Sequence, residues 1–293
     1  MALWVLALLL GSVLSFFFAS IRKSVSGALH RRPALIWTVP FLLTGIFSVA
    51  AALVDGGSLP LSGLILAYTS GPVFSTWLGR SGSVDRPSAW DFLTVLLLWL
   101  PLEFATGAAL VPRPARGYLH SVAYGIAILL ALLLFLGFRR TPGLKYNRPD
   151  DVRDAWLPLA GFAATAPVLI LLGVALGFIP PPHPPLQSAR SMAAAVAVIF
   201  LGTALPEEIL FRSLVQNLLM QRFGTGWRTL LAASFIFGCA HLNNGPQPLP
   251  NWRYLILATL AGIAYGAVFQ KASTVLSSAT LHMLVDWTKH VFF

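Results

Sequence analysis

The chain is short of charge. Only 10% of its 293 residues are Asp, Glu, Lys or Arg, against about 25% in an ordinary soluble domain. Hydrophobic residues make up 57% and the mean hydropathy is +0.76, so a water-soluble globule is excluded. Cysteine is scarcer still. A single one, Cys239, rules out an internal disulfide and a cysteine-rich metal site, and reads as a small apolar filler in a helix. HExxH, the short zincin spacing, is missing, and no GxSxG elbow surrounds Ser277 and Ser278. There is no tandem repeat, no low-complexity tail and no compact basic domain. The net charge of +10 is spread over short loops, which fits topology and attraction to anionic lipid and excludes nucleic acid as a partner.

What the chain has is apolar length. About ten stretches of roughly 20 residues, the length that crosses a hydrocarbon core as a helix, lie near 2–21, 34–54, 59–79, 88–111, 118–138, 156–179, 191–219, 229–242, 254–270 and 273–293. Polar residues interrupt the last four, so the expectation is an all-α, polytopic transmembrane bundle of eight to ten spans. Met1 to Leu10 carries no basic residue and the cluster Arg22, Lys23, Arg31 and Arg32 follows it, so the first run reads as a retained anchor rather than a signal peptide. With the N-terminus outside, alternate loops hold fourteen Lys and Arg against five in the opposite set. That asymmetry puts the richer set in the cytoplasm and implies an integral multi-pass protein of a bacterial cytoplasmic membrane.

Two segments divide the chain. Arg139 to Asp154 (RRTPGLKYNRPDDVRD) is the longest polar segment and reads as a cytoplasmic loop between an N-terminal membrane region, 1–150, and a C-terminal domain, 155–293. Ile179 to Leu186 (IPPPHPPL) reads as a stiff polyproline-like connector. Spans in the first half hold few ionisable residues. Glu103 reads as a helix-end glutamate near Arg113 and Arg116, and Asp91 as a first-turn charge that complements a helix dipole. His30, His120 and His183 fall at interfaces or in the connector.

The second half is different. LPEEILFRSLV, residues 205–215, sets Glu207, Glu208 and Arg212 inside an apolar run. Three unpaired charges at a helix centre cost roughly 8 kcal/mol in total even on a lenient insertion scale. Glu208 and Arg212 stand at i and i+4 in the favourable acid-first order and neutralise each other. Glu207, turned about 100° away on a regular helix, needs a partner from another span or a water-filled cavity. FIFGCAH supplies His241 four residues after Phe237, and LHMLVDW supplies His282 and Asp286 at i and i+4. A spare carboxylate, two imidazoles and a second carboxylate suffice to activate water, by general-base action or around a metal. Each histidine taken singly is equally readable as an interhelical hydrogen bonder.

The order EExxxR, FxxxH and HxxxD, carried by Glu207, Glu208 and Arg212, then Phe237 and His241, then His282 and Asp286, resembles the CPBP family of intramembrane proteases, named for CAAX proteases and bacteriocin-processing proteins and also called the Abi family. The resemblance covers about residues 190–290. It implies an endopeptidase acting on a membrane-anchored peptide or protein, with Glu207 deprotonating water, His241 holding that water, His282 and Asp286 stabilising the oxyanion or completing the polar cage, and Arg212 orienting the carboxylates through Glu208. Family members often carry Asn at the position of Asp286; an Asp suits orienting His282 better than donating to an oxyanion. No cofactor is expected. A divalent metal such as zinc, if bound, would be held by Glu207, His241 and His282. Two other classes stay open: a secondary transporter, disfavoured because the first span reads as unbroken while the sixth contains Gly161 and Pro167, and an inactive membrane scaffold or immunity protein that keeps the family fold.

Overall fold

The computed structural model describes residues 2–245 and 247–293. The described residues are helical, with no strand, and divide into two compact units, Met1–Gly143 and Leu144–Phe293.

The first unit runs α1 Ala2–Ser15, α2 Ala19–Arg31, α3 Pro33–Ala52, α4 Leu59–Leu78, α5 Ala89–Glu103 and α6 Arg113–Phe138. Its core is aliphatic and aromatic, with Leu9, Ile36, Leu43, Phe47, Val73, Ile126 and Leu130 buried. Local chemistry explains its helix starts. Pro33 opens the 3-10 turns Pro33–Thr38 with which α3 begins, and Pro40 stands in the first turn of its α-helical part, Val39–Ala52, where a missing N–H costs nothing; the Ser58 hydroxyl accepts from Leu61 N–H at 3.3 Å. Ser88 and Asp91 form a capping box at the start of α5. Asp91 does more than complement a dipole. Its carboxylate takes Arg139 Nε at 2.9 Å, with both side chains under 5% exposed. The same guanidinium donates to the carbonyls of Gly79 and Gly82, so Arg139 is a buried clamp on the α4–α5 loop rather than a solvated loop charge. Glu103 ends α5 but accepts from Trp99 Nε1 at 3.0 Å, a partner on its own helix face.

The second unit runs α7 Arg153–Ala175, α8 Ala189–Phe223, α9 Trp227–Cys239, α10 Trp252–Lys271 and α11 Val275–Phe292. Its corner between α10 and α11 is tied to the polar segment that precedes α7. Lys145 Nζ donates to the carbonyls of Phe269, Gln270 and Ala272 at 2.6, 3.1 and 2.7 Å, which satisfies acceptors that a helix C-terminus leaves orphaned. Burial pushes the Lys145 ammonium below its ordinary range, and Asp154 pulls the other way. Asp154 in turn accepts from Ser273 N–H at 2.8 Å, from the Ser273 hydroxyl at 2.5 Å and from the backbone N–H groups of Asp150 and Asp151. Residues 180–186, the proline connector, form no helix; His183 N–H donates to Phe292 carbonyl at 2.9 Å.

The span count is lower than the apolar runs suggest. Among the described residues five helices, α3, α6, α7, α8 and α10, are long and apolar enough to cross a membrane, six if α1 and α2 count as one broken span. The first run, read as unbroken, turns by 90° between Ser15 and Ala19, because the apolar ALWVLALLLGSVLS gives way to ASIRKSVSGALHR, whose charges favour an interface. That contrast between the first and sixth spans therefore no longer counts against a transporter. Elsewhere α5 has 15 residues and α9 only 13, too few for about 30 Å of hydrocarbon.

Candidate active site

The polar groups of the candidate site come from α8, α11 and the turn after α9. Helix α8 is not regular where it carries its glutamates. It widens into π turns at Phe200–Ala204 and again at Ile209–Gln216, on either side of Leu205–Glu208. Pro206 gives the cause of the first: a proline offers no N–H to the carbonyl four residues back and its ring crowds that carbonyl, and a π turn opens the space. The helix continues through Pro206 instead of breaking there.

Glu208 and Arg212 meet as expected. Arg212 Nε lies 3.1 Å from Glu208 Oε2 and both side chains are fully buried. Arg212 also donates to Gln216 Oε1 at 3.4 Å, and Gln216 Nε2 donates to the Gly266 carbonyl at 3.0 Å. The guanidinium lies 4.9 Å above the Phe237 ring, a cation–π contact that replaces part of its lost hydration. Gly266 is required by this packing. A Cβ there would stand 2.6 Å from Gln216 Oε1.

His282 is the hub. Its Nδ1 lies 3.1 Å from Glu208 Oε1, while its Nε2 lies 3.4 Å from Asp286 Oδ2 and 3.9 Å from Glu207 Oε2. Its ring stacks on Tyr265, centroids 4.6 Å apart and planes 21° apart. The sequence paired His282 with Glu207 and left Glu208 to Arg212 alone. Instead Glu208 uses both oxygens, one for each cation, and Glu207 and Asp286 share the other edge of the imidazole. Three carboxylates thus surround two cationic groups, Arg212 and His282 when doubly protonated. On the Glu207–Asp286 side the side chains are 21% and 32% exposed, and Lys289 stands on the same cavity wall as a third cation.

His241 arrives differently. Helix α9 stops at Cys239, about 20 Å from its start at 1.5 Å per residue, so His241 sits in the turn after a short helix rather than within a span. Its Nδ1 is 2.8 Å from the Phe237 carbonyl. A carbonyl only accepts, so Nδ1 carries the proton and a neutral ring leaves Nε2 as an acceptor. Tyr254 meets the ring edge-on at 4.5 Å, and Phe237 stands between the two imidazoles, 4.7 Å from His241 and 5.8 Å from His282. Gly238 lets α9 approach α10 this closely, since a Cβ would collide with the Thr259 hydroxyl.

A cavity of about 90 Å³ opens against this cluster, walled by His241, Tyr254, Tyr265, His282, Asp286 and Lys289, with apolar residues of α7 opposite. It has room for several waters. Glu207 is not part of that wall; it reaches the site through the Nε2 edge of His282. Tyr254, Tyr265, Gln216 and Lys289 were not singled out from the sequence. Tyr265, in GIAYGAV, had the clearest signal, a hydroxyl-bearing ring between two glycines of an apolar helix. Among the described residues no three His, Cys, Asp or Glu side chains are gathered so as to hold a metal ion. Glu207, His241 and His282 do not form such a group as arranged.

Residues 189–288 match the family described as type II CAAX prenyl endopeptidase Rce1-like, the stretch that holds all six site residues. No curated protein and no solved structure matches the chain. The match agrees with the resemblance carried by the three motifs.

Proposed function

Starting from the Rce1-like domain at residues 189–288, which belongs to a CAAX-type family of intramembrane endopeptidases, we propose that the chain hydrolyses a peptide bond of a membrane-anchored protein or peptide by carboxylate-activated water. One observation carries the reading. His241, His282 and Asp286 wall a cavity with room for water, and Glu207 meets the same Nε2 edge of His282 that Asp286 does.

Glu207 is the base. Water bound between Glu207 and the Nε2 atom of His241 gives a proton to the Glu207 carboxylate while its oxygen bonds to the substrate carbonyl carbon. The oxyanion so formed is stabilised by His282 Nε2–H, whose charge is held by Glu208 and Asp286. As the C–N bond breaks, protonated Glu207 returns its proton to the leaving amine, which balances the step. Arg212 and Gln216 act at one remove: they fix the rotamer of Glu208, and Glu208 fixes His282. Asp286 orients His282 from the opposite edge.

Processing of a membrane precursor tests the assignment. In membranes carrying the Glu207→Gln or His241→Ala variant, the precursor stays uncleaved while expression and insertion match the parent; retained cleavage in both variants sinks the reading. Comparing the membrane proteome with and without Glu207→Gln identifies the substrate as the one precursor that accumulates. A chelator added to the parent leaves cleavage unchanged, and loss that only zinc restores would replace carboxylate activation by a metal mechanism.

A further inference from the structure

A second cavity, larger than the one beside His282, lies within the first unit. It measures about 340 Å³, inside the range of small-molecule pockets. Phe47, Leu61, Leu64, Ile65, Leu102 and Leu119 supply large apolar side chains to its wall, and the turn after α5, with Ala105 and Gly107 at positive φ, contributes as well. Ten or so waters would fill this volume at roughly 30 Å³ each, yet the wall offers them few partners. A space so lined is suited to hydrocarbon.

Apart from Tyr68, whose hydroxyl donates to the Leu98 carbonyl, and Thr106, the polar side chains on the wall are two basic ones. Arg116 and His120, at i and i+4 on α6, both line the cavity and both are exposed. Arg116 donates Nε to the Val111 carbonyl at 3.1 Å, which leaves its Nη protons for a ligand. No Asp or Glu is among the lining residues. An apolar chamber with a guanidinium and an imidazole at its rim complements one ligand shape: an alkyl chain ending in an anion.

We propose that this cavity binds a single-chain amphiphile with an anionic head group, its chain seated between α3, α4, α5 and α6 and its head held by Arg116 and His120. One chain suffices for the volume. Gly117, on the same wall between the two basic residues, supplies a plug, because a Cβ built there meets nothing within 4 Å and its backbone is helical. A larger side chain at this position fills the cavity without disturbing the helix.

The test uses the full chain in a neutral detergent, with binding of dodecanoate read by native mass spectrometry and compared with dodecanol and dodecyltrimethylammonium. Dodecanoate binds one per chain and at least about tenfold tighter than dodecanol, the ratio that one charge-assisted hydrogen bond supplies. Arg116→Gln brings dodecanoate down to the level of the alcohol, and Gly117→Leu abolishes both while thermal unfolding stays unchanged. Equal binding of acid, alcohol and ammonium overturns the proposal, as does full binding by Gly117→Leu. Co-purification of a two-chain phospholipid that dodecanoate cannot displace overturns it as well.

Discussion

Both units bury a carboxylate against a guanidinium, and the two pairs end differently. In the first unit Asp91 and Arg139 close on each other: the carboxylate caps α5 and takes the guanidinium, and the guanidinium spends its remaining protons on loop carbonyls. In the second, Glu208 and Arg212 lead outward. Glu208 passes from Arg212 to His282, and His282 passes on to Asp286 and Glu207 at the edge of a cavity. A closed pair fixes a loop. An open chain carries its contacts to a histidine on a cavity wall, so the number of charges matters less than where the chain of contacts ends.

The sharpest way to break the contrast is at the open end. Glu207→Gln keeps size and polarity but removes the base, and cleavage of the precursor falls by about 10²- to 10⁴-fold, measured as initial rate in isolated membranes. Asp91→Asn, the matching change in the closed pair, leaves that rate within about twofold. Were the two to slow cleavage equally, the distinction between the pairs would be lost.

The second break concerns stability. Removing one partner of a buried pair costs about 3–5 kcal/mol, and thermal unfolding in detergent will show the loss for Asp91→Ala and for Arg212→Ala alike. The readouts then separate. Arg212→Ala, which frees Glu208 to rotate and so moves His282, also lowers kcat with little change in KM, whereas Asp91→Ala changes only the unfolding temperature.

How much of this was legible depends on whether a contact lies along one helix or across several. Glu208 with Arg212 and His282 with Asp286 are i, i+4 pairs, and their spacing alone declared them. The bond from Glu208 to His282 crosses 74 residues, and its choice of Glu208 over Glu207 depends on the rotation of α8. Two π turns alter that rotation, so the 100° step of a regular helix misdirects the reading of adjacent glutamates. Asp91 and Arg139 were hidden for the related reason that 48 residues separate them; each alone looks like a solvated end charge. Hydropathy registers apolar runs but neither the bend at Phe16–Phe18 nor the early stop of α9, so fewer helices have the length of a span than there are apolar runs. The polytopic helical fold was legible because it rests on composition and length.

The smallest effect tests whether the polar segment before α7 is a linker or part of the scaffold under the site. Lys145 donates to three carbonyls at the end of α10, and that end leads directly into α11, which carries His282 and Asp286. Helix C-termini concentrate partial negative charge on orphaned carbonyls, and a partly buried cation there contributes about 1–2 kcal/mol. Lys145→Met therefore lowers unfolding stability by that amount. Amide exchange speeds up at residues 271–277, where Val275 N–H is held by the Lys145 carbonyl and Ser273 N–H by Asp154. Substrate cleavage stays near the parent rate, because the Val275 and Asp154 bonds still fix the start of α11. A drop as deep as that of Arg212→Ala would mean that the α10–α11 corner, and not the Glu208 contact, sets where His282 stands.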